Sequence, residues 1–385
     1  MALPETDRRC AVPPPRCDHR ASGDGPARPG DAEAPTRAAL TAFITRWRGG
    51  GAGSGAPRDV ALSVRSLRGG LESAGVARVV ARFTDSRGRP RALRFVMKRL
   101  EGEPAREVAV YRSVVAAVAR DLSPAMLGAE EIDPGSWLLL LEPVRPALRW
   151  PWRGMHLTGR VLERLAELHG APSGALAMPA WDYERALLDR GRELVALLDS
   201  LPRAGELARV HRSLPAIRRV VAALPAMRRA LLELPSLGQS VIHGDVHTGN
   251  VIVARRGAGE QPVLLDWGRA RIGSPLEDVS SWLQSLAYWE PEARRRHDTL
   301  LGAYLAARGL SRTPARGLRD AYWTAAASNV LAGALLFHLK SALQEDAPTR
   351  RAAALRAAAL RAAEDGLRIV RRADACWRAG GAAGR

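Results

Sequence analysis

Three oxygen-bearing side chains flank two short apolar runs: Asp245 and Asn250 precede the first, and Asp266 follows the second. The runs, 251–254 and 262–265, enclose the turn-rich stretch 255–260 and predict a β-hairpin. Hard oxygen donors gathered at one end of such a ribbon suit a Mg²⁺ that keeps most of its water and shares a nucleotide's phosphates. Phosphoryl transfer needs positioning and charge neutralisation more than covalent work. Asn250 and Asp266 are the candidates to hold the metal. Asp245, on the same loop as Asn250, can accept the proton of an attacking hydroxyl.

The phosphates need a counter-charge. Of 58 basic residues only Lys98 and Lys340 are lysines. A lysine kept in so arginine-biased a chain points to a place that needs a compact charge and not a planar fork. Lys98 lies among Phe95, Val96, Met97 and Leu100, on a predicted buried strand over 92–100, where an unpaired cation is costly. Glu107, on the next predicted helix (104–119), is its natural partner; the bland alternative is a rim lysine without a role. Upstream, a glycine-rich turn with Gly69, Gly70, Ser73 and Gly75 joins predicted strands 59–67 and 76–84. Its backbone N–H groups and Ser73 could cradle phosphate, although glycine also simply makes hairpins. The cluster 49–55 lacks the Gly-Lys-Ser/Thr ending of a phosphate loop and reads as a linker. The apolar strand 136–141 ends in Glu142-Pro143-Val144, where proline stops the ladder and starts a crossover. Backbone groups of Glu142 and Val144 would then face a nucleobase.

These parts require a β-rich first third and a helical remainder, a two-lobed α+β plan. Residues 1–37 read as a disordered tail and 38–143 as the small lobe. Residues 144–346 read as a helical lobe carrying the catalytic loop and hairpin, and 347–385 as an Ala/Arg-rich C-terminal helix and tail. Four Leu-Pro pairs over 181–239 predict short helices that each begin at proline. His169 reads as a packing or capping residue, His243 as structural, and His247 as a loop residue of unassigned role.

Composition excludes several classes. The apolar run 321–339 is broken by Thr324, Ser328, Asn329 and Gly333, so a core helix is expected and no membrane span. No apolar leader opens the sequence, and Cys10, Cys17 and Cys376 offer neither a disulfide framework nor metal-ligand spacing, which fits a reducing cytoplasm. The net charge of +18 invites nucleic acid, but the excess arginines concentrate in 201–240 and 347–385. They alternate there with Ala and Leu as on solvated helix faces, without aromatics for base stacking, so nucleic acid is not an expected partner.

The pattern His243-Gly-Asp-x-x-x-x-Asn250 followed by Leu-Leu-Asp266-Trp-Gly resembles the signature of the aminoglycoside phosphotransferase and choline kinase superfamily. The resemblance spans about 59–343 and implies a protein-kinase-like fold. It also implies Asp245 as catalytic base, Asn250 and Asp266 as Mg²⁺ ligands, and Lys98 with Glu107 as the phosphate-anchoring pair. Asp278 would be a structural carboxylate that steadies the loop. Protein kinases have Arg at the position of Gly244 and Phe at that of Trp267, which favours the small-molecule branch.

The expected activity is transfer of the γ-phosphoryl group of ATP, or of GTP, to a hydroxyl of a small molecule such as an aminoglycoside, amino alcohol or sugar. The alternative is a catalytically silent nucleotide-binding protein. Trp282, Tyr288, Trp289, Tyr322 and Trp323, with Glu290, Glu292, Asp298 and Asp320, could shape an acceptor pocket, but aromatics at helical spacing are more often core.

Overall fold

The computed structural model describes residues 33–47, 57–67, 75–148, 155–172, 174, 176–201, 203, 207–256, 259–289, 291–344 and 350–383. Strands β1 (Arg58–Leu67), β2 (Gly75–Thr84), β3 (Pro90–Glu101), β4 (Met126–Asp133) and β5 (Ser136–Leu141) form an antiparallel sheet in the order β1-β2-β3-β5-β4. Alternation along β3 and β5 sets the two faces. Phe95, Met97, Leu138 and Leu140 point to one side, where Leu40, Phe43 and Ile44 of α1 (Glu33–Arg46) cover them. Leu100, Leu139 and Leu141 point to the other and join the core shared with the helical lobe. Lys98, in register with Val76 on β2 and Leu139 on β5, stands on that second face. Its place at the lobe junction follows from strand periodicity.

Helix α1 begins at Glu33, inside the stretch expected to be a tail. It sits so close to β4 that a Cβ at Gly128 would meet the Phe43 ring at 2.5 Å. The strand β4 is an addition to the sequence reading. Of the glycine-rich turn, Gly69, Gly70 and Ser73 lie outside the described residues, while Gly75 opens β2 opposite Arg99, next to the Lys98 register.

The helix expected over 104–119 is built as α2 (Arg106–Val110) and α3 (Ala116–Val118), joined by a wide π turn at Tyr111–Val115. Beyond it come β6 (Pro146–Leu148), α4 (Met155–Gly170), α5 (Tyr183–Ser200), α6 (Ala208–His211) and α7 (Leu214–Leu232). Pro215 does stand at the start of α7, but Pro225 lies inside it, so this helix is continuous where two short ones were expected. A proline there costs about 3 kcal/mol. The buried face of Ile217, Val220, Leu224, Met227 and Leu231 offsets that, at about 1.5–3 kcal/mol for each large side chain.

Strands β8 (Val251–Arg256) and β9 (Gly259–Leu264) form the expected hairpin, with Val251 opposite Leu264, and β6 pairs on β8. Strand β7 (Ser240–Ile242) pairs with β10 (Arg271–Gly273), which ties the segment before Asp245 to the segment after Asp266. Helices α8 (Pro275–Trp289), α9 (Pro291–Arg295), α10 (His297–Ala307), α11 (Arg316–Asn329), α12 (Leu335–Gln344) and α13 (Arg350–Ala383) complete the chain. The run 316–343 is long and apolar enough to cross a membrane by composition, yet Tyr322, Ala325, Ala326, Leu331, Leu335 and Leu339 are buried in the helical cores. Helix α13 is part of that lobe: Leu367, Ile369 and Val370 are buried in the same core as α7 and α12.

Candidate active site

Lys98 Nζ donates to Glu107 Oε2 at 2.5 Å and to Asp266 Oδ1 at 3.1 Å. Burial disfavours the ammonium, but Glu107 and then Asp266 outweigh it and raise the Lys98 pKa above its ordinary value. Glu107 itself is 1% exposed, and its other oxygen accepts the Trp267 N–H at 3.1 Å. The small lobe's helix therefore grips both the lysine and the metal loop. Asp266 adopts a left-handed backbone (φ 65°), a conformation that Asp tolerates better than most residues. Among the described residues Lys340, the other lysine, makes only an exposed pair with Glu193, so lysine retention marked a buried cluster in one case of two.

The catalytic loop is held from below. Asp278, in the first turn of α8, accepts the His243 N–H and the Gly244 N–H, each at 2.7 Å. His169 Nε2 lies 3.2 Å from Asp278, and its Nδ1 lies 2.8 Å from the Tyr304 hydroxyl. His243 is buried and neutral: burial lowers its pKa against the pull of Asp278 and Asp245. Its Nδ1 accepts the Asp245 N–H at 3.3 Å, so Nε2 is the protonated nitrogen that donates to the Leu265 carbonyl at 2.9 Å. The ring packs edge-on against Trp267, centroids 4.6 Å apart. A single imidazole thus couples the loop bearing Asp245 to the segment bearing Asp266.

Gly244 has φ 81°, and a Cβ there would collide with the Arg269 carbonyl and the Arg271 guanidinium. That is why no larger residue stands at this position.

Asn250 Nδ2 donates to the Asp245 carbonyl and to Asp245 Oδ2, both at 3.1 Å, and its backbone carbonyl accepts the Leu265 N–H at 2.8 Å. With the amide nitrogen committed, the side-chain oxygen is the Asn250 atom that could hold a cation. Burial would raise the Asp245 carboxyl, but His247, Arg269 and His243 outweigh it and hold the group below the usual carboxylate range. His247 Nε2 lies 3.7 Å from Asp245 Oδ2 and its Nδ1 accepts the Gly249 N–H at 3.0 Å, which gives this residue a place beside the site. Among the described residues no group of three His, Cys, Asp or Glu side chains forms a metal cage. One carboxylate and one amide oxygen are the donor set expected for a Mg²⁺ completed by phosphate and water.

Sequence reasoning missed Arg106, which precedes Glu107 and donates to the carbonyls of Gly268 (2.8 Å), Ala270 (2.6 Å) and Pro179 (3.1 Å). The Glu142 N–H donates to Ala125 O at 2.8 Å and its carboxylate pairs with Arg256, so it latches the sheet to the β8–β9 hairpin. Val144 stays half-exposed in the connector. Among the acceptor candidates, Trp282 and Tyr322 are buried core. Glu292 and Asp298 pair with arginines, and the side chains of Tyr288 and Trp289 and all of Glu290 lie outside the described residues.

A model of the phosphotransferase enzyme family matches residues 67–322. The chain belongs to this family. It is a member of the aminoglycoside phosphotransferase and choline kinase superfamily, and so a small-molecule phosphotransferase with a kinase-like fold. Among solved structures, it is similar to choline kinase from Cryptosporidium parvum Iowa II, at 15% identity and TM-score 0.51 over 79% of this chain and 89% of that one. It also matches ethanolamine kinase of Plasmodium vivax, at 9% identity and TM-score 0.49 over 78% and 81% of the two chains. An aminoglycoside phosphotransferase from Streptomyces rimosus, in complex with ADP and streptomycin, aligns at 18% identity and TM-score 0.44 over 75% and 98%. A search of curated protein sequences finds no match.

Proposed function

We propose that this phosphotransferase moves the γ-phosphoryl group of a Mg²⁺-bound nucleoside triphosphate, ATP or GTP, to a hydroxyl of a small molecule. The observation that carries the reading is the joining of Lys98, Glu107 and Asp266 to the Asp245–Asn250 loop through His243 and Trp267. Lys98 meets the phosphates as a point charge whose place is set by Glu107. Asn250 and Asp266 would hold the Mg²⁺, which supplies charge neutralisation between the phosphates. The backbone of Glu142 and Val144, in the connector after β5, is the position for a base, and the glycine-rich stretch before Gly75 is the position for the phosphates.

Asp245 is held ionised at neutral pH, and Asn250 fixes one of its oxygens. It accepts a hydrogen bond from the acceptor hydroxyl and aims that oxygen at phosphorus. The proton passes to Asp245 as the new P–O bond forms and the bond to the leaving diphosphate breaks. So weak a base is suited to a transition state in which the proton moves late.

The test is Asp245→Asn. We expect turnover to fall by at least about 10²-fold, the lower end of what general-base catalysis contributes, while a nucleoside triphosphate with Mg²⁺ still raises the melting temperature. Unchanged turnover across a panel of aminoglycosides, amino alcohols, sugars and nucleosides would remove Asp245 as the base.

A further inference from the structure

Beside the segment that follows Asp266, and walled in part by α2, lies a cavity of about 350 Å³ that the phosphoryl-transfer reading does not use. Its walls include Arg106 of α2, Trp181 and Tyr183 at the start of α5, Arg228 of α7 and Arg271 of β10. Three guanidiniums from three separate elements converge on two aromatic rings. Arg271 stands 3.5 Å over the Tyr183 ring, Arg228 4.9 Å over the same ring, and Arg106 5.3 Å over Trp181. Rings that take the faces of guanidiniums leave their N–H edges to bind something else.

Those edges are not all used. Trp181 Nε1 and Arg271 Nε are sealed from solvent without a hydrogen-bond partner. Arg228 is 2% exposed, and its Nη1 is paired with Glu277 Oε2 at 3.2 Å. A buried donor left without a partner is costly. Both orphans are donors, so the missing partner is an acceptor. The carboxylates nearby are Glu277, which pairs with Arg271 and Arg228, Glu184, which pairs with Arg228, and Asp182, which caps α5. Arg106 hydrogen-bonds to carbonyl oxygens alone. Burial and then the neighbouring Arg271 charge lower its pKa to about 10, against the pull of Glu103.

We propose that this cavity is a second, non-catalytic site that binds a compact phosphate, free or as the head of a phosphomonoester. A tetrahedral oxyanion presents acceptors in several directions and so can meet the indole N–H, the Arg228 and Arg271 edges and the Arg106 charge together. The consequence is conformational. Arg106 holds the carbonyls of Gly268 and Ala270, and Arg271 opens β10, so a ligand joining them to α5 and α7 braces the segment that follows Asp266.

The experiment is calorimetric titration of the full chain with inorganic phosphate and with glycerol 3-phosphate, at ionic strength fixed with chloride. One equivalent should bind with a dissociation constant of about 1 mM or tighter. Trp181→Phe, which keeps the ring and removes the donor, should weaken binding about tenfold. Arg228→Lys, which keeps the charge and removes the fork, should do the same. Saturating nucleoside diphosphate with Mg²⁺, which fills the Lys98 side, should leave that equivalent of phosphate bound. Tighter binding of the ester assigns the site to a metabolite head group, and equal binding assigns it to free phosphate. Binding displaced by the nucleotide, unaffected by both cavity variants, or absent at matched ionic strength overturns the proposal. The titration reads no turnover, so its failure is separate from a failure of the kinase reading.

Discussion

Replacing Asp278 by Asn exchanges one oxygen for an amide at constant volume. The wild-type carboxylate receives the Gly244 N–H on Oδ1, and the His243 N–H and His169 on Oδ2. Asn offers one acceptor oxygen, so in either orientation its NH₂ meets a buried backbone N–H. Losing a hydrogen bond to a charged group costs about 1.5–3 kcal/mol, and an orphaned donor costs about 1–3 kcal/mol. A combined loss of about 3 kcal/mol lowers the melting temperature by roughly 4 °C for a chain of 385 residues at about 2.1 cal/mol/K per residue. Turnover should fall more steeply, since a misplacement of about 1 Å costs roughly 10²-fold, while nucleotide affinity, carried by Lys98, stays near wild type.

Acid sets the window for this effect. Burial pushes the Asp278 carboxyl up, but His169 and His243 outweigh it and hold the pKa below the ordinary value. A depressed carboxylate contributes its full stability above the unfolded value of about 3.9 and loses it as pH falls through the lower folded value. The gap between wild type and variant should therefore be constant above about pH 5 and close only in strong acid. Scanning calorimetry across pH, with a coupled assay of nucleoside diphosphate release, measures both effects. A variant that melts within about 1 °C of wild type and turns over normally would show that the loop is anchored elsewhere.

Lys98→Ala strands Glu107 in the core without a cation, which should cost about 3–5 kcal/mol and abolish the melting shift given by nucleotide. Lys98→Arg should not restore that shift, because a planar fork cannot replace the compact charge; recovery by Arg would contradict the point-charge role. Gly244→Ala places a Cβ against the Arg269 carbonyl at a positive φ, so denaturant melts should show a loss above about 1 kcal/mol with turnover falling in step. Wild-type behaviour of that variant would mean that the loop relaxes freely there.

The catalytic loop and hairpin were legible because their chemistry and their local structure coincide: a polar residue flanking a short apolar run marks a strand end in the sequence itself. Lys98 stood out against an arginine background, and Glu107 followed as the carboxylate on the next element. Arg106 carried no such signal. In a chain with 56 arginines one more is unremarked, and its partners, the carbonyls of Gly268 and Ala270, are main-chain atoms more than 160 positions away. Strand β4 was missed because Met126–Asp133 has no apolar alternation, only half-exposed and exposed residues at a sheet edge. The latch of Glu142 to Arg256 left no signal for a related reason: it depends on how the hairpin docks against the sheet, which no local pattern encodes.

Arg106 and Glu107 are consecutive, so on a helix their side chains diverge by about 100°, yet both engage the metal loop. Glu107 takes the Trp267 N–H on the Lys98 side, and Arg106 takes the two carbonyls on the cavity side. The segment after Asp266 is therefore clamped to α2 at both edges, and neither clamp can shift without loading the other. A nucleotide on Lys98 and a phosphate among Arg106, Arg228 and Arg271 would brace this one unit from opposite faces. Linkage then requires reciprocity: any factor by which phosphate tightens nucleotide binding is the factor by which nucleotide tightens phosphate binding. Titrations in both orders must close that cycle, and unequal factors would mean that the two ligands act on different parts of the chain.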